Sequence, residues 1–244
     1  MANAVKMAVA VRCASGRVAE FVKDDGTSGT TYELVTGGTG LNQTSGVSLG
    51  DALSGETITH AWASCMGVVS ENPAFAGCWI TAPDGSVAAI IQGGGGAAQK
   101  PLQPLYRALK VSTGMQAKGV AENAGTGIVQ AFVGVCYASG RHDIFQSTLS
   151  DASETSFTSV ISGATWGQAG AGQTATAYYA ILNNTNTINE DGNGQNFVYA
   201  QDAQGQLTGL MSPVLCASGG SWTAFGSTPI PISQNDTLKA TYAT

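Results

Sequence analysis

Apolar residues along this chain come in short runs that stop at glycine, asparagine or aspartate. Met7–Cys13 and Ala131–Tyr137 are runs of this kind, each closed by Ser-Gly, as a buried strand entering a turn would be. Thr57–Ala63 alternates β-branched and aromatic residues with small ones, and Gly55-Glu56 supplies the turn before it. Asp84-Gly85, between Trp79-Ile80 and Val87–Ile91, is a hairpin signal of the type that needs positive φ. Asn235-Asp236 feeds a last alternating segment, Thr237–Tyr242. Sustained helical periodicity is scarce, and Ser150–Ile161 and Pro104–Leu109 are the two places where a short helix is expected. Gly93–Gly96 reads as a flexible loop.

These runs recur. Met7-Ala-Val-Ala-Val-Arg-Cys-Ala-Ser-Gly-Arg17 aligns with Ala131-Phe-Val-Gly-Val-Cys-Tyr-Ala-Ser-Gly-Arg141 at an offset of 124, with Phe21 and Phe145 following at the same distance. Gly55-Glu-Thr-Ile-Thr-His-Ala-Trp-Ala63 aligns with Gly172-Gln-Thr-Ala-Thr-Ala-Tyr-Tyr-Ala180 at 117. Cys78–Val87 aligns with Val198–Leu207 at 120, setting Trp79 on Tyr199, and Gly114–Ala121 aligns with Asn235–Tyr242 at 121, setting Lys118 on Lys239. Each match is weak alone, but all four keep their order and nearly constant spacing, which composition does not imitate. The expectation is an all-β chain of two tandem β-sandwich or jelly-roll modules, residues 1–124 and 125–244, produced by internal duplication. A short turn at Asn123–Thr126 marks the junction.

Charge changes the picture of the surface. Only 11% of residues are charged, against about 25% in an ordinary soluble protein. Lys and Glu are depleted at protein interfaces, so a chain poor in both suits a surface covered by other chains. The net charge of -6 and the scattered ten basic residues argue against direct nucleic-acid binding. The N-terminal stretch is broken at Arg12 and lacks the apolar region of an export signal, and no apolar run reaches the roughly 18 residues that a membrane span needs. Cys13, Cys65, Cys78, Cys136 and Cys216 have no CxxC spacing and read as small buried thiols, not as a zinc site or disulfide framework.

Few motifs offer chemistry. Gly46-Val-Ser-Leu-Gly50 spells the G-x-S-x-G of a nucleophile elbow, but Gly40–Ser45 before it is no buried strand, so Ser48 is expected to be structural. His60 and His142 are the two histidines available as a base, and His60 falls within a strand. Asn189–Gln195 is rich in oxygen ligands but lacks the spaced carboxylates and bidentate Glu of a calcium loop, and Gly37–Gly40 lacks the Lys-Ser/Thr of a phosphate loop. No catalytic, cofactor-binding or metal-binding residue is assigned, and the chain is not expected to be an enzyme.

Two in-line β-modules, carried by the paired Ala-Ser-Gly-Arg and Gly-x-Thr-x-Thr segments, resemble the tandem (double) jelly-roll capsid proteins of tailless icosahedral viruses. The resemblance implies a self-assembling virion capsid subunit, made in the host cytoplasm, that forms homotrimers and contacts other virion proteins. Three chains would then present six similar module edges. The alternative is a carbohydrate-binding or adhesive β-sandwich in which Trp62, Trp79, Trp166 or Trp222 stacks on sugar.

Overall fold

The computed structural model describes residues 5–25, 33–36, 48–67, 75–91, 93–95, 103–122, 129–149, 155–184, 195–215, 221–224 and 228–243. The protein is all-β, with two five-residue helices among the described residues. The chain divides into two compact units, Met1–Ala124 and Gly125–Thr244.

In the first unit, β1 (Val5–Cys13) and β2 (Val18–Asp25) form a hairpin. Its turn is closed by Cys13 N–H donating to Arg17 O (2.8 Å) and Gly16 N–H to Cys13 O (2.9 Å). Gly16 sits at φ +89°, where a side chain would be strained. There follow β3 (Glu33–Thr36), α1 (Leu49–Leu53), β4 (Thr57–Gly67), β5 (Phe75–Thr81), β6 (Val87–Ile91), β7 (Gly93–Gly95), β8 (Gln103–Lys110) and β9 (Gln116–Glu122). One sheet runs β2-β1-β4-β7, with β8 also on β4, and the other runs β3-β9-β5-β6. Alternation along these strands sends Val9, Val11, Phe21, Ile58, Cys78, Ile80 and Ile91 into one core drawn from both sheets, a β-sandwich-like arrangement.

The second unit contains β10 (Val129–Tyr137), β11 (His142–Leu149), β12 (Thr155–Ser156), β13 (Thr158–Ser159), α2 (Trp166–Gly170), β14 (Thr174–Asn184), β15 (Gln195–Gln201), β16 (Leu207–Leu215), β17 (Ser221–Ala224), β18 (Ile230–Pro231) and β19 (Thr237–Ala243). Its sheets run β13-β11-β10-β14-β17, with β18 also on β14, and β12-β19-β15-β16. Val133, Val135, Tyr137, Phe145, Phe157, Trp166, Val198 and Leu238 are among the residues of its core.

Element by element, the two units follow one plan. The β1–β4 ladder shifts register between Arg12 and Cys13, and the β10–β14 ladder shifts between Cys136 and Tyr137. Thr59 Oγ1 donates to Arg12 O and Thr176 Oγ1 to Cys136 O, both at 3.2 Å. Trp79 lies opposite Lys118 across β5–β9, and Tyr199 lies opposite Lys239 across β15–β19. The Asp84-Gly85 turn brings Gly85 N–H to Ala82 O, and Gly205 N–H reaches Asp202 O in the same way. Aligned sequence segments therefore occupy the same places in the two strand orders.

Three expectations fail. Pro104–Leu109 is strand, not helix, because β4 pairs with it from His60↔Pro104 to Ile58↔Leu109, and ladder pairing overrides the local helical preference of Leu and Ala. Within Ser150–Ile161, residues 155–156 and 158–159 are extended, with Phe157 buried in the core. Gly93–Gly95 is a short strand running parallel to Ala63–Cys65, not a loop. Asn123–Thr126, Asn189–Glu-Asp-Gly-Asn-Gly194 and Gly37–Gly40 lie outside the described residues.

Candidate functional site

Ser48 is the first candidate, and its surroundings account for it structurally. Its backbone is extended at the N-cap of α1, and its Oγ accepts from Asp51 N (3.2 Å) while donating to Asp51 Oδ2 (2.7 Å). This is a capping arrangement, in which the side chain satisfies a helix donor that has no partner within the helix. Gly50 is glycine for a different reason. An added Cβ there would lie 2.6 Å from Met115 N and 2.8 Å from the carbonyl oxygens of Met115 and Ser112. The second unit repeats the device, with Thr165 at the N-cap of α2, Gln168 Oε1 accepting from Thr165 N, and Gly167 against the backbone of 233–236. Both fixed members of the G-x-S-x-G pattern that lie among the described residues thus dock a short helix. Ser48→Ala should keep the fold, lower stability by about 1 kcal/mol through loss of the cap, and leave hydrolysis of ester substrates at the uncatalysed rate. Denaturant melts and an esterase assay check both points.

His60 stands on β4 with Nδ1 3.0 Å from Thr59 Oγ1, opposite Arg12 and Pro104 in the ladders. His142 is buried on β11. Cys13, Cys78 and Cys136 are buried and in no disulfide, and burial raises the Cys13 thiol, with Glu56 adding to the shift and Arg17 opposing it. A thiol held in its neutral form is a poor nucleophile. Among the described residues no three or more His, Cys, Asp or Glu side chains gather as metal ligands, and no helix is long and apolar enough to cross a membrane.

A buried polar cluster on β11 was not anticipated from the sequence. Asp143, 6% exposed on β11, accepts at Oδ1 from Ser159 Oγ (2.7 Å) and Ile144 N (2.9 Å), while Arg141 Nη2 stands 3.4 Å from Oδ2. Ser159 Oγ in turn accepts from Ile161 N and Ser162 N, both at 3.2 Å. The Arg141 guanidinium lies 4.8 Å from the Tyr137 ring centroid and donates to Ala169 O. This network ties β13 to the edge of β11, where Phe145↔Ser159 and Gln146↔Thr158 pair, and ties the hairpin turn to α2. Its polar atoms are engaged with one another, which suits a structural latch more than a reaction centre.

Burial raises the Asp143 carboxyl above its usual range, outweighing Ser159, Ile144 and Arg141, which all pull it down. A carboxyl whose folded pKa is raised binds its proton more readily folded than unfolded, so its contribution is most favourable in acid. Stability from this group should fall as pH rises from the ordinary aspartate range through the elevated value, then level off. Asp143→Asn should flatten that segment of the curve. Denaturant midpoints taken across mildly acidic pH on both proteins test this, and an unchanged curve in the variant would remove Asp143 as its source.

Of the four tryptophans that could stack on sugar, Trp222 has its side chain outside the described residues. Trp79 and Trp166 are wholly buried, and Trp62 is half-buried with its Nε1 inaccessible. A ring sealed in a core offers no face to a sugar. Comparison with protein-family models, with curated proteins and with solved structures found no match.

Proposed function

We propose that this chain is a structural protein, a self-assembling virion capsid subunit built from two jelly-roll modules that arose by internal duplication. The observation that carries the reading is the strand order. A jelly roll of strands B to I makes one sheet in the order B-I-D-G and a second in the order C-H-E-F. With β2 as B, β3 as C, β4 as D, β5 as E, β6 as F, β8 as G and β9 as H, the pairings of the first unit are consistent with that order, with β1 in the place of I and β7 as an additional strand on β4. Those of the second unit are consistent with it too, with β11, β12, β14, β15, β16, β17/β18 and β19 as B to H, β10 in the place of I and β13 as an additional strand on β11. In each module the strand that ordinarily comes last comes first. Two independent sandwiches would have little reason to share this uncommon ordering, the same register shift and the same docking glycines, which favours duplication over convergence.

Two such modules per chain let three chains present six similar edges, and this is the physical case for a trimer. A surface with few charges lets neighbouring copies pack without the desolvation cost of buried ions. The partners of this reading are further copies of the chain and other virion proteins, without direct contact to nucleic acid, and its location is the virion, after synthesis in the host cytoplasm. The sugar-binding alternative loses support from the sealed rings of Trp79 and Trp166.

Electron microscopy of the purified protein, at physiological and at molar salt, is the test. Regular closed or sheet-like assemblies are expected at both, because contacts that are apolar and hydrogen-bonded do not weaken as the screening length shortens from about 8 to 3 Å. Assemblies that dissolve on adding salt alone, or dispersed single particles throughout, would overturn the proposal.

A further inference from the structure

The exposed large hydrophobic residues described in the first module, Val18 and Tyr106, flank one row of its sheet. Val18 on β2 lies opposite Arg12 on β1, Arg12 lies opposite His60 on β4, and His60 lies opposite Pro104 on β8. Their neighbours Val11, Cys13, Ala61 and Ala63 enter the core, so alternation turns Arg12 and His60 to the outer face. Between His60↔Pro104 and Ile58↔Leu109 the ladder sets four residues of β8 against Thr59 alone. Leu105 and Leu109 tie that swollen stretch to the core, and Tyr106 and Arg107 are left exposed on it. Three strand intervals make the row about 14 Å long.

The polar groups of this row are uncommitted. Arg12 and Arg107 are exposed, and among the described residues neither guanidinium has an ion-pair partner. Glu20, the acid of the adjoining row opposite Ala10, pairs with neither. Two such guanidiniums on a chain of net charge -6 form a local attractor for a carboxylate, which the planar fork of arginine binds through two parallel N–H bonds. Arg107 Cζ lies 5.8 Å from the Tyr106 ring centroid, so charge and a flat apolar ring are offered together. Thr59 Oγ1 donates to Arg12 O (3.2 Å) and therefore accepts at its 3.0 Å contact with His60 Nδ1. That contact puts the proton of the neutral imidazole on Nδ1 and leaves Nε2 as an acceptor for a hydroxyl.

The aligned positions of the second module lack this chemistry. Cys136 stands for Arg12, Ala177 for His60 and His142 for Val18, in the same ladder, and Cys136 and His142 are buried. We infer that the row from Val18 to Tyr106 is a binding site, confined to the first module, for a short saccharide that carries a carboxylate. Arg12 and Arg107 hold the carboxylate, His60 Nε2 accepts from a sugar hydroxyl, and the Tyr106 ring lies against the C–H face of a sugar. A row of this length falls far short of the roughly 800 Å² per partner that a stable protein interface buries, which favours a small ligand over a second copy of the chain. The site does not depend on the shell role proposed above.

Isothermal titration of the full-length protein with the uronate-containing tetrasaccharide of hyaluronan, and with the same tetrasaccharide after reduction of its carboxyl groups, tests the inference. The acidic form should bind saturably and the reduced form about tenfold or more weakly, the scale of one lost charge-assisted hydrogen bond. Arg12→Gln should weaken the acidic form by a similar factor, and Tyr106→Ala and His60→Ala several-fold each. Lys118→Gln removes the same charge from the other sheet of the module and should leave binding unchanged. Circular dichroism melts identify any variant that has lost its fold, and the exposed Arg12→Gln should melt as the parent does. Equal binding of the acidic and reduced sugars, an equal loss in Lys118→Gln, or binding of a heparin tetrasaccharide reduced in the same way would each overturn the carboxylate site. So would an absence of saccharide binding together with a change of oligomeric mass in Arg12→Gln, which would make the face a contact between copies.

Discussion

Gly167→Ala is expected to destabilise the second module by about 3 kcal/mol or more, at the upper end of what overpacking a close-packed site costs. The added Cβ would stand 2.5 Å from Gln234 O, 2.6 Å from Asp236 O and 2.7 Å from Ser233 O. These are backbone atoms of a tight turn, so no rotamer change relieves the contact. To make room α2 must back away, which also breaks the bond from Gly167 N–H to Asp236 O at 2.9 Å. Gly50→Ala should do the same to the first module, where α1 meets the backbone of Ser112 and Met115. Gly172→Ala is the control, since nothing lies within 4 Å of its Cβ position. Its φ of +72° alone should cost about 1–2 kcal/mol. Chemical denaturation of the three variants ranks them, and a Gly167→Ala protein no weaker than Gly172→Ala would contradict the docking geometry.

Trp166→Ala should cost about 3–5 kcal/mol, the range for truncating a buried large aromatic. The indole is wholly buried at the first position of α2 and meets Phe145 edge-on, with ring centroids 5.3 Å apart and planes at 61°. Aromatic pairs in this geometry are stabilised beyond their buried area. In the first module the corresponding place belongs to Leu49, also wholly buried, so Trp166→Leu should recover part of the loss. Thermal unfolding followed by circular dichroism measures both variants, and equal melting points for the alanine and leucine proteins would refute the packing role.

The strands and turns were legible because they carry local signals. Ser-Gly after an apolar run marked both hairpin turns, and Gly16 and Gly140 both stand near φ +89°. The helices were not legible, since five residues make little more than one turn and show no 3.6 period. Those helices form because Gly50 and Gly167 let them approach a distant turn, which is tertiary information. The Asp143 cluster was missed because Ser159 lies sixteen residues away in a Ser-Thr-rich stretch. A signal did exist. Phe145 is an inward residue, and a period of two along β11 puts Asp143 inward as well, where its counterpart in the first module is Ala19. A carboxylate at an inward position demands partners.

The exposed faces were the hardest to read, because Val18, Tyr106, Ile161 and Leu207 are exposed without a composition that marks them. Val18 is 56% exposed while His142, its counterpart, is 8% exposed. The two cores hold large side chains at matching places, as Phe21 and Phe145 do, while the exposed faces differ.

The molar mass of the purified protein, measured by light scattering during size-exclusion chromatography across the micromolar range, tests the central claim most directly. A capsid subunit of this design should elute as a stable species of three times 24.7 kDa, or as larger assemblies of it, with a mass unchanged by raised salt. A species of 24.7 kDa at every concentration would contradict the account.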